Sequence, residues 1–131
     1  MTAIILLAAI AHVNPFIGTG GTGHCTPCAA YPFGMVQPGG DTGCDPHSWR
    51  HCSGYDYHDT RIIMFSNTHL NGTGSSGLGD VGIFPFAGVQ PAAPGSAFAH
   101  EREKASPGYY SVVLDDVGVT AECTCSERVA Y

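Results

Sequence analysis

Apolar and polar residues alternate most regularly near the end of the chain, in residues 119–128. One set of alternate positions comprises Val119, Ala121, Cys123 and Cys125, and the other comprises Thr120, Glu122, Thr124, Ser126 and Arg128. A period of two is typical of a strand with one buried face and one wet face. An apolar run at 109–114 and a turn sequence at 115–118 come directly before it. The pattern predicts a hairpin in which Cys123 and Cys125 point inward.

Shorter apolar stretches predict further strands at 61–66, 81–86 and 35–37, and Pro85 makes the second of these an edge strand or a strand end. Residues 18–24, 39–48 and 71–80 are glycine-rich and polar, so we expect them to form surface loops. Eighteen glycines and nine prolines disfavour long helices. The predicted fold is mainly β, a partial antiparallel β-sandwich with long Gly-rich loops.

The charge and the motifs of the chain exclude some classes of function. The chain has 131 residues and a formal charge of −6, and its sequence has no basic stripe that could contact phosphates, so we expect no nucleic-acid partner. The glycines at 18–23 lack the lysine of a phosphate-binding loop. The apolar run at 4–11 is too short to span a membrane, and we predict that residues 1–11 are a clipped signal segment or, alternatively, a first buried strand.

Six cysteines leave two interpretations open. Their positions are 25, 28, 44, 52, 123 and 125. Zinc binding by the first four, with His47 and His51, is one alternative, but seven residues lie between Cys44 and Cys52, where a ribbon or finger has about two to four. Pro46 also disfavours a helix there. Buried free thiols acting as small hydrophobes are the favoured interpretation.

Aromatic, imidazole, hydroxyl and glycine residues are concentrated in residues 49–57 and 65–74. Sugar-binding surfaces combine aromatic rings that stack on the pyranose with short polar groups that bind its hydroxyls. Trp49 is the only tryptophan, and His51, His24 and His69 are candidate polar contacts. Ordinary loops of a Gly-rich β protein are the alternative interpretation of the same residues.

Five carboxylates in the predicted loops are candidates for catalysis. An inverting glycosidase needs an acid and a base held about 6.5 to 9.5 Å apart. The candidates are Asp41, Asp45, Asp56, Asp59 and Asp80. Their spacing singles out no such pair, so we expect solvated or capping roles and no catalytic or metal-binding residue in this chain.

Six blocks of sequence, in order, resemble the beginning of glycoside hydrolase family 92. They are Val13-Asn14-Pro15-Phe16-Ile17-Gly18-Thr19-Gly20-Gly21, Gly23-His24, Pro32-Phe33-Gly34-Met35-Val36-Gln37, Cys52-Ser53-Gly54-Tyr55, Thr68-His69-Leu70 and Glu103-Lys104-Ala105-Ser106-Pro107-Gly108-Tyr109-Tyr110. Around Cys25, Cys28, Cys123 and Cys125 the chain departs from the small or apolar residues usual in that family.

The resemblance implies an N-terminal fragment of a secreted or periplasmic, calcium-dependent, inverting exo-α-mannosidase acting on mannose-containing glycans. Residues 12–131 would be an incomplete N-terminal β-sandwich domain. The catalytic carboxylates and calcium ligands would belong to a C-terminal helical domain of the same polypeptide. Trp49 would pack against the leaving sugar, as one wall of the pocket. A free-standing carbohydrate-binding β module and a zinc-stabilised Cys/His module are the other function classes that stay open.

Overall fold

Short strands and long connections make up the chain in a computed structural model that describes residues 9–43, 48–77 and 79–126. The strands are β1 (Gly39–Asp41), β2 (Arg61–Ile62), β3 (Met64–Ser66), β4 (Ser96–Ala97), β5 (Glu103–Ser106), β6 (Tyr109–Leu114) and β7 (Val119–Thr124), with a 3-10 helix at His100–Arg102 before β5. They form three antiparallel sheets, β1–β3, β2–β4 and β5–β6–β7. The mainly β prediction is confirmed.

The predicted hairpin is the longest pairing among the described residues. Tyr109 pairs with Thr124 and Leu114 with Val119, so β6 and β7 run in register along their whole length. The predicted alternation holds in β7: Cys123 is buried and Ala121 and Cys125 pack against the core, whereas Thr120, Glu122 and Thr124 are exposed. Burial raises the pKa of Cys123 to about 12, which keeps this thiol neutral and apolar. The end of the predicted strand, at 127–128, lies outside the described residues.

One apolar core connects the three sheets. Its buried members are Ala29, Ile62, Phe65, Phe98, Tyr110, Val112, Leu114 and Cys123. They come from β2, β3, β6 and β7 and from the segments beside β1 and β4. Each large apolar side chain buried in this way contributes about 1.5 to 3 kcal/mol relative to an exposed one. The short sheets are therefore held together mainly by this shared core.

The predicted strand at 35–37 is wrong, and so is the surface position predicted for 39–42. Met35 is exposed, and the strand instead covers Gly39–Asp41, all three buried. A Cβ on Gly40 would lie 2.8 Å from Cδ1 of Ile62, so only glycine lets β1 approach the core this closely. Glycines carry no apolar pattern, which is why the sequence indicated a loop. The remainder of that predicted loop, at 44–47, lies outside the described residues.

Two other predicted strands are present in altered form. The 61–66 segment divides at Ile63 into β2 and β3, which pair with different partners, and the Ile63 amide donates to the Asp41 carbonyl at 2.8 Å. In the 81–86 segment only Ile83 is paired, through an antiparallel bridge to Phe65. Pro85, which has no amide hydrogen, follows closely and fits the end of pairing there.

The sequence also led to predictions for the N-terminal segment and for the cysteines. Residues 1–8, which include most of the apolar run at 4–11, lie outside the described residues. Residues 9–10 are helical and exposed. No helix in the described ranges is long and apolar enough to cross a membrane. The five cysteines described, at 25, 28, 52, 123 and 125, are all free thiols, and Cys44 is not among the described residues.

Candidate functional site

His24 has the least ordinary environment of the predicted site residues. Its φ is 51°, the only positive φ of a non-glycine residue in the described ranges. Its side chain is only 6% exposed, although the sequence predicted that loop 18–24 would lie on the surface. Its Nε2 is buried and has no hydrogen-bond partner in the described part of the protein. Strained backbone and an unsatisfied buried polar atom both occur preferentially at functional sites.

The glycines before His24 explain how the backbone reaches this conformation. The Cys25 amide donates to the Gly18 carbonyl at 3.1 Å, which folds residues 18–25 back on themselves. A Cβ on Gly23 would collide with the backbone of Gly18. The loop is thus closed so tightly that glycine is required, and His24 is presented at its end.

Trp49 stands next to His24 and is largely exposed. The two rings meet edge-on, with centroids 4.5 Å apart and an interplanar angle of 90°. The Trp49 residue is 62% exposed, which agrees with a binding role and not with a core role. The indole also lies against Gly74, where a Cβ would come within 2.8 Å of Cη2. We call His24, Trp49 and Gly74 the His24–Trp49 face.

Hydrogen bonds connect the loops that carry this face. The Gly72 amide donates to the His24 carbonyl at 2.7 Å, and the Thr26 amide donates to Asn71 Oδ1 at 2.8 Å. The Asn71 amide nitrogen in turn donates to the side-chain oxygen of Gln37. These contacts hold loop 71–74 beside loop 18–26, so the two glycine-rich segments predicted from the sequence lie together at one site.

His51 lies beside Trp49 in the chain, but both of its ring nitrogens face protein groups. Nδ1 is 3.0 Å from Ser48 Oγ, and Nε2 is 2.7 Å from Asp59 Oδ2. Its predicted contact with substrate stays a prediction, and the geometry gives it a role in holding the Trp49 loop.

His69 is buried between β1 and β3, away from solvent. Its Nε2 lies 2.8 Å from Asp41 Oδ1, and its Nδ1 lies 2.9 Å from the Gln37 carbonyl. Burial by itself lowers the pKa of His69, but the neighbouring Cys28 sulfur and the Asp41 carboxylate raise that pKa to about 10. Both ring nitrogens face acceptors, which fits a doubly protonated imidazolium. The structure thus uses His69 to join β1 to the segment after β3.

The loop carboxylates are engaged with protein partners. Asp41 and Asp56 are buried and not solvated, and of the two predicted roles Asp56 has the capping one, because its Oδ1 accepts from the His58 amide at 2.8 Å. Burial raises the pKa of Asp56, but hydrogen bonds from Arg50 and from His58 hold that pKa below its ordinary value. Asp59 contacts Arg50 and His51, and Asp80 accepts a hydrogen bond from Thr68. Asp45 lies outside the described residues.

Two charged groups that make several contacts, the exposed Arg50 and the buried Glu103, were not identified from the sequence. Arg50 contacts both Asp56 and Asp59, and Glu103 accepts hydrogen bonds from the hydroxyls of Tyr55 and Tyr110. The sequence did carry a signal for the Arg50 contacts, because this arginine is followed by two aspartates in a short segment with few other charges. No local pattern could indicate the second, because Tyr55 and Glu103 are 48 residues apart.

The chemistry open to the described residues is binding. An exposed indole, a buried imidazole nitrogen without a partner and a glycine-lined loop suit a pyranose ring and its hydroxyls. The described part of the chain holds no group of three or more His, Cys, Asp or Glu side chains placed to bind a metal ion.

Comparison with known proteins identifies the family of this chain. The glycosyl hydrolase family 92 N-terminal domain matches residues 12–131. A family GH92 α-mannosidase from Bacteroides thetaiotaomicron, solved in complex with mannoimidazole, is 40% identical with a TM-score of 0.83, over 92% of this chain and 17% of that protein. A family GH92 inverting mannosidase from Bacteroides thetaiotaomicron VPI-5482 is 26% identical with a TM-score of 0.71, over 92% of this chain and 17% of its own.

A curated relative agrees with these structures. An uncharacterized secreted glycosidase from Arthroderma benhamiae is 26% identical in an alignment 129 residues long, which covers 91% of this chain and 16% of that protein. The chain therefore spans about a sixth of the length of the relatives that it matches. With the family match covering nearly all of its length, this chain belongs to glycoside hydrolase family 92, within the N-terminal domain of that family.

Proposed function

We propose that this chain is the N-terminal part of a secreted or periplasmic, inverting exo-α-mannosidase that acts on mannose-containing glycans. Support comes from family membership and from the two similar mannosidases, one of them described as inverting. The secreted glycosidase from Arthroderma benhamiae supports an extracytoplasmic location.

The His24–Trp49 face is the observation that carries the role of this chain within the enzyme. Trp49 offers a broad apolar surface with few rotatable bonds, on which the C–H face of the leaving sugar stacks. The His24 ring meets the indole edge-on and its Nε2 has no partner among the described residues, so we assign the imidazole a hydrogen bond to a sugar hydroxyl. The tight glycine loop holds the imidazole in place before substrate arrives.

The proton-transfer steps belong to another part of the polypeptide in this proposal. Asp56 and Asp59 are tied to Arg50, and Asp41 is buried against His69. Each of these three carboxylates therefore has a protein partner, although Oδ2 of Asp41 is buried without one among the described residues. We assign the catalytic acid and base to a C-terminal helical domain, with this chain binding and orienting the substrate.

We also assign the calcium ligands to that C-terminal helical domain. Calcium takes about six to eight oxygen ligands, and the described residues contain no group of three or more His, Cys, Asp or Glu side chains that could hold a metal ion. When bound, calcium would supply a positive charge that orients sugar hydroxyls.

The proposed activity is tested with the full-length protein on α-linked mannose disaccharides. We expect release of mannose as the β-anomer, followed by NMR before mutarotation, and loss of activity after chelation with recovery on adding calcium. Release of another sugar, retention of configuration, or activity indifferent to chelation would contradict the proposal. Tight binding of mannosides without any hydrolysis would favour the carbohydrate-binding module instead.

The role of His24 is tested separately by His24→Ala. Loss of one neutral hydrogen bond costs about 0.5 to 1.5 kcal/mol, so we expect kcat/KM to fall roughly twofold to twelvefold for mannosides. His24→Gln retains a donor and an acceptor on a side chain and should recover part of the loss. An unchanged kcat/KM in His24→Ala would assign the imidazole a purely structural role.

A further inference from the structure

The backbone on both sides of Trp49 is held by a network of charged groups, and we propose that Arg50 is a positioning residue that keeps the indole in its substrate-binding orientation. This inference rests on the proposed stacking role of Trp49. It assigns a function to Arg50, Asp56 and Asp59 that the family relationship does not provide.

Packing alone does not fix Trp49. The indole is mostly exposed, and its ring contact in the described structure is an edge-on contact with His24. An exposed aromatic residue on a mobile loop would lose conformational freedom on binding, which weakens the complex. The orientation of Trp49 must therefore be maintained through its backbone.

Arg50 supplies the strongest part of that restraint. Its Nε lies 2.9 Å from Asp56 Oδ2, and its Nη2 lies 3.0 Å from Asp56 Oδ1, which is a bidentate pair. The same Nη2 lies 2.9 Å from Asp59 Oδ1. A planar guanidinium bound to two carboxylates has a narrow range of orientations, which limits the backbone next to Trp49.

The carboxylate that receives Arg50 is itself fixed. Asp56 is buried, its amide donates to Thr42 Oγ1 at 2.9 Å, and its Oδ1 accepts from the His58 amide at 2.8 Å. Arg50 is thus attached to the rigid end of β1 through Thr42, which follows Asp41.

The other side of the loop is closed by two further contacts. His51 extends between Ser48 Oγ and Asp59 Oδ2, so it spans the turn that contains Trp49. The Cys52 thiol donates to the Trp49 carbonyl at 3.0 Å. Asp59 is shared by Arg50 and His51, which makes it the residue that connects the two halves of the network.

The described contacts of the guanidinium are with the carboxylates of Asp56 and Asp59, so Arg50 acts through Trp49 and not on the sugar. A displacement of the aromatic wall should reduce binding in the leaving-sugar region more than binding of the mannose that is cleaved. The expected signature is a change in substrate preference, and not a uniform loss of activity.

A double-mutant cycle in the full-length enzyme tests this inference. We expect Arg50→Gln to lower kcat/KM for an α-linked disaccharide by about fivefold to twentyfold, with a change of less than about twofold for an aryl mannoside. In the Trp49→Ala background Arg50→Gln should have no further effect on the ratio of the two values, because the group through which it acts is gone. Hydrogen exchange of the peptide covering 48–55 should rise in Arg50→Gln.

Two further variants keep the result interpretable. Arg102→Gln removes an arginine of similar exposure that pairs with Asp115 at 2.6 Å, and it should leave the substrate ratio unchanged. Arg50→Lys retains the charge but not the bidentate geometry, so its ratio should fall between wild type and Arg50→Gln.

The outcomes separate this inference from the proposed function. If Trp49→Ala itself leaves the substrate ratio unchanged, the stacking role fails and the positioning role fails with it. If Trp49→Ala lowers the ratio but Arg50→Gln does not, only the positioning role is overturned. Equal losses for both substrates in Arg50→Gln, or effects that multiply with those of Trp49→Ala, would also overturn it.

Discussion

The β5–β6–β7 sheet and the His24–Trp49 face are stabilised by different forces. In the sheet, Tyr110, Val112 and Leu114 are completely buried, and register follows from alternation along the strands. Around the face, the order comes from glycine conformations, backbone hydrogen bonds and a paired arginine, while the indole stays exposed. Burial is non-directional, whereas each polar contact depends on particular atoms. Substitutions in the sheet should therefore change stability, and substitutions near the face should change substrate preference.

The largest effect is expected in the core of the sheet. Leu114→Ala removes a fully buried side chain and leaves a cavity, which should lower the free energy of unfolding by about 2 to 5 kcal/mol. Thr120→Ala, on the exposed face of β7, should change it by less than about 0.5 kcal/mol. Urea unfolding of the full-length protein measures both. If the two variants were equally stable, the core described here would be wrong.

A smaller loss of stability is expected at the buried Glu103. Its carboxylate accepts hydrogen bonds from Tyr110 at 2.7 Å and from Tyr55 at 3.0 Å, and it contacts His100 Nδ1 at 2.7 Å. Glu103→Gln replaces one acceptor oxygen by a donor, which should lower the free energy of unfolding by about 1 to 3 kcal/mol. Urea unfolding provides the value, and activity per folded molecule should remain unchanged. A changed substrate ratio would show that the two regions are not separate.

The two regions also differ in how far the sequence could predict them. The β6–β7 hairpin follows from local alternation and a turn sequence, so its register and its inward cysteines were accessible. The strand Gly39–Asp41 was not, because Gly40 lies against Ile62 and Tyr110 and Gly39 lies against Cys28, and these contacts form only in the folded chain. Trp49 and His24 were selected by residue type, but their edge-on contact depends on three loops meeting. Arg50 was missed because its partners become neighbours only in the folded loop.

We expect a pH-dependent effect on stability at His69, which is smaller at neutral pH than near pH 6. Its pKa is raised to about 10 in the folded protein from an ordinary value of 6.5. The stabilisation is complete below pH 6.5 and is lost as pH rises through about 10, since the imidazolium then loses its proton. The destabilisation caused by His69→Gln should therefore be largest near pH 6 and shrink toward pH 10. A pH-independent difference in unfolding midpoint would mean that His69 is neutral when folded.

The central claim is that Trp49 forms the aromatic wall against which the leaving sugar packs, and Trp49→Ala in the full-length enzyme tests it most directly. A stacking contact of this kind is worth about 1 to 3 kcal/mol, so kcat/KM for an α-linked mannose disaccharide should fall roughly tenfold to a hundredfold. An activated aryl mannoside demands less of this wall and should lose much less. Both values are measured per folded molecule. Equal losses for the two substrates, or no loss for either, would contradict the account.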